Sequence, residues 1–393
     1  MGRKPDVALV HDYLTQRGGA ERVVLTFLHA FPQAPLYTAL YLPDGTFPDF
    51  KEVEVRTLPL NHVGLLRRQH RLGLPLYAAA FGRTCVDARV TLASSSGWAH
   101  GVRTTGRKIV YCHAPARWLY QSHLYLDRRQ LVARGAVSML GPALRAWDRQ
   151  AALSADRYLT QSSAVQQRIH SLYGIEAQVL PAPHAMDPSQ ARRPLPGIRP
   201  RFLLCVARLL PYKNVAAVVE ALQLIRDTDV VVVGRGPEED RLRAGAPRRT
   251  HFLGTVHDDE LRWLYAHCAG LVAASYEDYG LTPLEAGAFG RPSAVLRGGG
   301  FLDTVVDGKT GVFFDQPDPP LIADAVQRLL ATKWDQAAIR AHAAHFGERA
   351  FVERLRQIVA DERATLDGRS LLGRTRASTP TVPTTAPASS TTN

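Results

Sequence analysis

The sequence predicts an α/β protein made of two doubly wound parallel sheets that face each other across a cleft. Three observations lead to this prediction. In the first half of the chain, short apolar segments of the length of buried strands alternate with helical patterns. A stretch rich in proline and polar residues, 180–200, interrupts this alternation, and a similar alternation begins again after it. Two similar halves joined by a linker leave a cleft between them, where such sheets bind ligands.

The length of the chain also favours two domains, since 393 residues exceed what one hydrophobic core usually serves. We place the first domain at 1–185, the linker at 186–199 and the second domain at 200–366. The remaining residues, 367–393, end in a Ser/Thr/Pro/Ala sequence without apolar periodicity, so we expect them to form a disordered tail.

Apolar runs and helical periodicity define the elements of both domains. In the first domain, buried strands are predicted at 7–10, 88–95, 108–113 and 157–163. An amphipathic helix is predicted between them at 20–31, because its apolar residues fall on one face. In the second domain, strands are predicted at 201–207, 229–234, 270–275 and 292–296, with helices that include 214–226 and 258–267.

Composition and charge exclude several classes of protein. The sequence has no apolar run as long as a membrane span, and its start, MGRKPDVALVHDY, lacks the apolar region of a signal peptide, so we expect a cytoplasmic location. The cysteines have no paired spacing and lie mostly in apolar segments, which indicates reduced thiols and no zinc site. They are Cys85, Cys112, Cys205 and Cys268.

The formal charge of +12 is concentrated in the first half of the chain. Residues 1–198 contain 24 Lys and Arg against 13 Asp and Glu, whereas 199–393 contain 24 against 23. A basic half could meet nucleic acid, an anionic membrane surface or a phosphorylated substrate, or could serve solubility alone. Nucleic acid is not favoured, because no nucleic-acid-binding motif accompanies the arginines. A peripheral position at the inner membrane face remains a candidate, with Arg67, Arg68, His70 and Arg71 beside apolar residues.

Two turns that connect a strand to a helix contain residues suited to binding a phosphate group. Gly18 and Gly19 follow the first predicted strand and precede a helix, so the backbone could approach a ligand closely, although tight-turn chemistry explains the pair equally well. In the second domain, Arg208 and Lys213 flank a loop at the carboxyl end of a strand, where a diphosphate would need neutralising. A pair of solvated loop cations is the alternative.

The segment YEDYGLTPLEAGAFGRP, 276–292, places Glu277 and Glu285 on either side of a predicted helix start. The amino terminus of a helix attracts anions, which favours a ligand site. Thr282-Pro283-Leu284-Glu285 also matches a capping box, in which Glu285 would be purely structural. The residues alone leave both interpretations open.

Other local patterns argue against competing chemistries. VVVGRGPEEDRL at 231–242 lacks the third glycine of a dinucleotide fingerprint, so an oxidoreductase or epimerase is disfavoured. Asp227-Thr228-Asp229 precedes a strand and is typical of a turn, and His342 with His345 has no nearby third ligand. We therefore expect no metal and no tightly bound cofactor.

Taken in order, the blocks GGAERV, YCHAPARW, VARLLPYKN, VVVGRGPEEDRL, the long segment 251–300 and VVDGKTGVFF resemble the retaining GT-B glycosyltransferases that use nucleotide sugars. The resemblance runs from about residue 6 to about 330, and its most specific part is the E-x(7)-E pattern of Glu277 and Glu285. It implies two Rossmann-like domains, with the acceptor bound mainly by the first and the donor by the second. SSSGWAHGVRTTGRKIVYCHAPARW is most similar to bacterial GDP-mannose-type mannosyltransferases of surface glycan synthesis.

The resemblance also implies roles for individual residues. Arg208 and Lys213 would neutralise the donor diphosphate, Glu277 would contact the transferred sugar and Glu285 would hold the ribose hydroxyls. The amides of Gly280, Leu281 and Thr282 would face the phosphates, and His113 would lie near the sugar. For His113, the alternative is a buried histidine that caps a strand.

The function implied is retaining, metal-independent transfer of a hexose, with mannose favoured. The donor would be a GDP- or UDP-linked sugar, used as a co-substrate, and the acceptor a glycan or a lipid-linked glycan. The alternative is a catalytically inactive protein that binds sugar nucleotides or glycans.

Overall fold

The computed structural model of this protein describes residues 4–120, 131–225 and 227–377. Fifteen strands lie within these ranges. They are β1 Val7–His11, β2 Leu36–Thr38, β3 Val55–Thr57, β4 Cys85–Val86, β5 Val90–Ser95, β6 Arg103–Thr104, β7 Arg107–Cys112, β8 Arg157–Thr160, β9 Gln178–Val179, β10 Leu203–Val206, β11 Val230–Val233, β12 Thr250–Gly254, β13 Gly270–Ala273, β14 Ser293–Leu296 and β15 Gly311–Phe314.

The α-helices of the described ranges cover both faces of the sheets that these strands form. They are α1 Gly19–Ala30, α2 Gly64–Arg68, α3 Leu74–Arg83, α4 Arg117–Tyr120, α5 Leu131–Leu153, α6 Ser163–Tyr173, α7 Val215–Ala221, α8 Glu239–Gly245, α9 Asp258–His267, α10 Leu281–Ala288, α11 Phe301–Thr304, α12 Pro319–Ala331, α13 Gln336–Ala344 and α14 Glu348–Ala377.

Each domain contains one large sheet whose described strand pairs are all parallel. The first sheet has the order β3-β2-β1-β5-β7-β8-β9 and the second the order β12-β11-β10-β13-β14-β15. In each sheet, the strands that follow the first one in the chain are added on one side of it and then on the other. The order therefore changes direction between β1 and β5 and between β10 and β13. Ligands of such sheets bind at these switch points, beyond the carboxyl ends of the strands. The predicted fold class, two doubly wound α/β domains, is therefore confirmed.

The strands are nearly continuous apolar runs because both faces of each sheet are covered. Val230–Val233, for example, is buried throughout and contributes alternate side chains to the apolar clusters on the two faces of the second sheet. The linker region between β9 and β10 is fully described and contains neither helix nor strand. Its Met186 packs into the core of the second domain.

The last helix, α14, corrects the expected end of the second domain. Its apolar residues Phe351, Leu355, Ile358 and Val359 are buried in the core of the first domain, and Phe351 stacks on Phe27 with ring centroids 6.0 Å apart. Residues 348–366 therefore belong to the packing of the first domain and not of the second, because their apolar stripe covers the first sheet. The chain crosses between the domains twice, and the crossings touch where the amide of His184 donates to the carbonyl of Phe346 at 3.2 Å.

Helix α14 also continues to Ala377, so the prediction of a disordered tail from residue 367 is wrong for 367–377. These eleven residues contain helix-forming leucines and arginines, and the first proline after them is Pro380. The rest of the expected tail, 378–393, lies outside the described residues.

Candidate functional site

The switch point of the second sheet brings together two of the predicted site residues. The loops that follow β10 and β13 are joined where Asn214 Nδ2 donates to the carbonyl of Ala274 at 2.9 Å. The Lys213 ammonium forms an ion pair with Glu277 Oε1, and the Ser275 hydroxyl donates to the same oxygen. A cation and a carboxylate are thus held side by side at the place where the fold binds ligands.

Arg208 lies in the same loop as Lys213, but its side chain is exposed and forms no ion pair within the described ranges. The loop is held by backbone bonds to the turn after β11, with the Leu209 amide donating to the carbonyl of Arg235 at 2.9 Å. A Cβ atom on Gly234 or Gly236 would lie 1.9 or 2.2 Å from a carbonyl oxygen of this loop. These glycines therefore allow the close packing of the two loops.

Helix α10 begins at Leu281, with Gly280 as its N-cap in a left-handed conformation of φ 89°. A Cβ atom at Gly280 would lie 2.5 Å from Phe301, so both the conformation and the contact require glycine. Within the described residues no side chain caps the helix. The first-turn amides, which include those of Leu281 and Thr282, have no intrahelical acceptor and are available to an anion.

Glu285 is not part of a capping box, and that interpretation is wrong. Because the helix begins two residues earlier than Thr282-Pro283 indicated, Glu285 lies in the second turn and faces α9. Its Oε2 accepts a hydrogen bond from the Tyr265 hydroxyl at 2.6 Å. Burial raises the pKa of Glu285, while the hydrogen bond from Tyr265 opposes this effect.

The first switch point carries His113, which directly follows β7. His113 Nε2 lies 2.8 Å from the Ser94 hydroxyl, and that hydroxyl lies 3.0 Å from His11 Nδ1. His11 and Ser94 are buried at the ends of β1 and β5. Sequence reasoning missed both, because they extend apolar runs; the signal was a polar residue at the carboxyl end of a buried strand.

The Gly18-Gly19 turn lies beside the same group of residues. Gly18 is the N-cap of α1, and a Cβ atom there would lie 2.5 Å from Glu21 Oε2, whereas one on Gly19 would meet nothing within 4 Å. Glu21 is only 1% exposed. Gly18 is thus required by the buried carboxylate, and the space beside Gly19 stays open.

The segment that follows Glu277 is held by the first domain. The Asp278 carboxylate pairs with Arg117 and with Arg168, the latter at 3.0 Å, and the Ser162 hydroxyl donates to the Asp278 carbonyl. Tyr279 donates its hydroxyl proton to the carbonyl of Ala182 at 2.7 Å. The two switch points are consequently fixed relative to each other across the cleft.

Asp12 shapes the first-domain wall of this cleft. Its buried carboxylate accepts from three backbone amides of the loop after β5, those of Ser96, Trp98 and Ala99, at 2.6, 3.1 and 2.6 Å. Burial raises the pKa of Asp12, and His11 and these amides oppose the increase. Trp98 in turn stacks on Trp118 with ring centroids 4.1 Å apart.

We expect Asp12→Asn to lower the free energy of unfolding by about 1–2 kcal/mol, because an amide nitrogen would face a backbone N–H that now has an acceptor. Urea denaturation followed by tryptophan fluorescence measures this change. The exposed Asp44 offers a control, since Asp44→Asn should leave the unfolding midpoint nearly unchanged. Equal midpoints for Asp12→Asn and the wild type would contradict the structural role of Asp12.

The described ranges contain neither a membrane-spanning helix nor a metal-binding cluster. No helix there is both long and apolar enough to cross a lipid bilayer. No group of three or more His, Cys, Asp or Glu side chains in those ranges is arranged to hold a metal ion.

Two doubly wound domains that face a cleft form the GT-B fold, and solved glycosyltransferases share it with this chain. The lipopolysaccharide outer core galactosyltransferase WaaB superposes with a TM-score of 0.64 at 16% identity, covering 91% of this chain and 99% of its own. Anabaena Alr3699/HepE, solved in complex with UDP-glucose, gives 0.64 at 18% identity over 92% and 100%.

Residues 190–351 match the model of the family Glycosyl transferases group 1. It is 31% identical over 211 residues to glycogen synthase of Mycobacterium tuberculosis, covering 50% of each chain. It is 30% identical over 240 residues to the GDP-mannose-dependent alpha-(1-6)-phosphatidylinositol monomannoside mannosyltransferase of Mycolicibacterium smegmatis, covering 53% of this chain and 62% of that one. The chain spans about half the length of several curated relatives it matches. The predicted resemblance to glycosyltransferases is confirmed, while the ligand contacts assigned to individual residues stay predictions.

Proposed function

We propose that this protein transfers a hexose, with mannose favoured, from a GDP- or UDP-linked sugar to a glycan or lipid-linked acceptor with retention of anomeric configuration. The observation that carries the proposal is the Lys213–Glu277 ion pair at the second switch point, beside the uncapped first turn of α10. This arrangement combines, in one place, groups for a diphosphate and a group for a sugar.

The chemistry of the reaction explains why these groups are needed. Breaking a glycosyl–phosphate bond builds negative charge on the leaving diphosphate and positive charge on the sugar. Arg208, Lys213 and the amides at the mouth of α10 supply positive charge to the diphosphate, and the proposal needs no metal ion for this purpose. The Glu277 carboxylate would accept hydrogen bonds from sugar hydroxyls. The Lys213 ammonium, paired with one of its oxygens, fixes the position of this carboxylate.

Two features support a nucleotide as the carrier of the sugar. The Glu285 carboxylate uses one oxygen for Tyr265 and can offer its other oxygen to ribose hydroxyls. The Mycolicibacterium relative is named as dependent on GDP-mannose, and a structural neighbour was solved with UDP-glucose. Both GDP-linked and UDP-linked sugars should therefore be tested as donors.

Incubating the full chain with a panel of GDP- and UDP-sugars, with and without lipid-linked acceptors, and measuring released nucleotide tests the proposal. Nucleotide release that depends on the acceptor, with an α-linked product from an α-linked donor, is the expected result. Binding of a nucleotide sugar without any release, over the whole panel, would favour the inactive binding protein.

We further propose that the first domain rests on an anionic membrane that presents the acceptor. Around α2, the large apolar side chains of Val63 and Leu65 are 47% and 58% exposed. Arg68 beside them is exposed and Arg67 is half-buried, while the side chain of Arg71 lies outside the described part of the chain. Apolar side chains flanked by cations suit the interface of an anionic bilayer.

Vesicles that contain anionic lipid should sediment the protein at low salt, and the bound fraction should fall as salt rises. Replacing both Arg67 and Arg68 by alanine should weaken binding by about 1 kcal/mol per charge. Exposed Arg349 and Arg354 of α14 provide a control pair with the same change in net charge. Equal recovery with neutral and anionic vesicles would leave these arginines a role in solubility alone.

A further inference from the structure

A chain of buried polar side chains joins the Gly18-Gly19 turn to His113. His11 and Ser94 are register partners on the neighbouring strands β1 and β5, and Ser94 Oγ lies within hydrogen-bond distance of both His11 Nδ1 and His113 Nε2. The side chains of His11 and Ser94 are 2% and 0% exposed. Their hydrogen bonds must therefore be satisfied within the protein, which restricts the positions of the protons.

The carbonyl of Ser94 determines the direction of these bonds. It lies 3.3 Å from His11 Nδ1, and because a carbonyl oxygen can only accept, this contact favours a proton on Nδ1 over an unprotonated nitrogen, whose lone pair would face the oxygen. The Ser94 hydroxyl, 3.0 Å from the same Nδ1, then accepts from His11 and has its own single proton to give to His113 Nε2. His113 Nε2 is consequently an unprotonated acceptor.

His113 is neutral at physiological pH, because burial, with a smaller effect of His11, lowers its pKa to about 3. A neutral imidazole with an unprotonated Nε2 carries its proton on Nδ1. Within the described residues Nδ1 has no hydrogen-bond partner, and His113 keeps 8% of its surface exposed at the carboxyl end of β7. The remaining donor of His113 is thus free for a ligand in the cleft.

The other end of the chain is anchored by Glu21 and Gln16. Glu21 Oε1 lies 3.9 Å from His11 Nε2 and accepts from Gln16 Nε2 at 3.1 Å. Burial raises the pKa of Glu21, but the nearby His11 and the Gln16 amide outweigh it, so the pKa lies below its usual value. The carboxylate lies on the Nε2 side of the His11 ring and the Ser94 carbonyl on the Nδ1 side, so an acceptor faces each ring nitrogen and Nδ1 stays directed to Ser94.

We infer that His11 and Ser94 are positioning residues that hold His113 in its Nδ1–H tautomer, as a hydrogen-bond donor to an oxygen of the transferred sugar. The sugar as the recipient of this bond rests on the proposed function, whereas the tautomer rests on the hydrogen-bond geometry and on the burial of the His113 ring. The Gly18-Gly19 turn enters the same mechanism, since Gly18 makes room for the Glu21 carboxylate that anchors the chain.

NMR of the histidine side chains tests the tautomer of His113 and does not require the enzyme to turn over a substrate. In the full chain labelled with ¹⁵N-histidine, two-bond ¹H–¹⁵N spectra distinguish Nδ1–H from Nε2–H rings, and His113→Gln identifies the signals of His113. We expect Nδ1–H in the wild type and in Ser94→Thr, which keeps the hydroxyl, and loss of this preference in Ser94→Ala. An Nε2–H ring in the wild type, or an unchanged tautomer in a folded Ser94→Ala variant, would overturn the inference.

Steady-state kinetics of the variants His11→Asn and His11→Gln tests the positioning role of His11. An Asn amide nitrogen can replace Nδ1 of His11, whereas a Gln amide nitrogen reaches the position of Nε2. His11→Gln should lower kcat by about tenfold, the loss expected for one misdirected hydrogen bond, with KM for the donor little changed. His11→Asn should retain most of kcat. Equal losses in both variants would make His11 a packing residue only. Absence of turnover in the wild type would instead refute the proposed function and leave the NMR result standing.

Discussion

Replacing Lys213 by alanine should lower turnover of the nucleotide sugar by about 30- to 1,000-fold, or roughly 2–4 kcal/mol of transition-state stabilisation. The change removes a cation beside the mouth of α10 and leaves the Glu277 carboxylate without its ion-pair partner. Both effects place more negative charge next to the departing diphosphate. Arg208→Ala should lower turnover by a similar factor, because the exposed guanidinium of the same loop is free to bind phosphate. Steady-state release of free nucleotide measures both variants.

Lys309→Ala provides the control for the loss of a positive charge. Lys309 is an exposed lysine of the same domain, but it lies two residues before β15 and therefore near the amino-terminal edge of the sheet, away from the site. The turnover and the melting temperature of the Lys309→Ala variant should equal those of the wild type. Wild-type turnover in both Lys213→Ala and Arg208→Ala would remove these cations from the donor site.

Glu285→Gln should weaken donor binding by about 1–3 kcal/mol with an almost unchanged melting temperature. Gln keeps an oxygen that can accept from Tyr265, so the fold retains this hydrogen bond, but the charged acceptor for ribose hydroxyls is lost. Because the folded-state pKa of Glu285 is raised, its ionisation costs stability as the pH rises through that pKa, and Gln removes this cost. Isothermal titration calorimetry and thermal unfolding measure the two quantities separately.

Tyr265→Phe gives the opposite pattern and serves as the matched variant. It removes only the hydroxyl, so the Glu285 carboxylate keeps its charge but loses its buried donor. The melting temperature should fall while donor affinity stays close to that of the wild type. A lowered melting temperature with intact affinity in Glu285→Gln would make Glu285 a structural residue.

The elements of this fold could be predicted where the signal is local. The helix predicted at 258–267 is found from Asp258 to His267, because acids occupy its first turn and its apolar residues share one face. Eight strands of the two sheets were predicted because parallel strands buried on both faces are continuous apolar runs, whereas β2, β3, β9, β12 and β15 were not predicted. The loops after those strands could then be assigned to the cleft, which places Lys213 there by its position, whereas the role of Glu277 at the sugar was implied by the resemblance.

The features that could not be predicted depend on contacts distant in sequence. The start of α10 is determined by Gly280 against Phe301, which outweighs the local Thr-Pro-Leu-Glu signal. Periodicity in α14 shows that it has an apolar stripe but not which sheet it covers. The pairing of Asp278 with Arg117 depends on the arrangement of the two domains.

The position of α14 has a consequence for how the protein is made. Phe351, Leu355 and Ile358 complete the core of the first domain, yet they leave the ribosome after the whole second domain. At about 5–20 residues per second, the apolar face that they cover stays open for roughly 10–30 s after β9 has been synthesised. The first domain therefore cannot finish folding as its own chain emerges, and its apolar face is exposed to chaperones or to aggregation during that time. Truncation before residue 351 should yield insoluble protein, even though it leaves all described strands of both sheets intact.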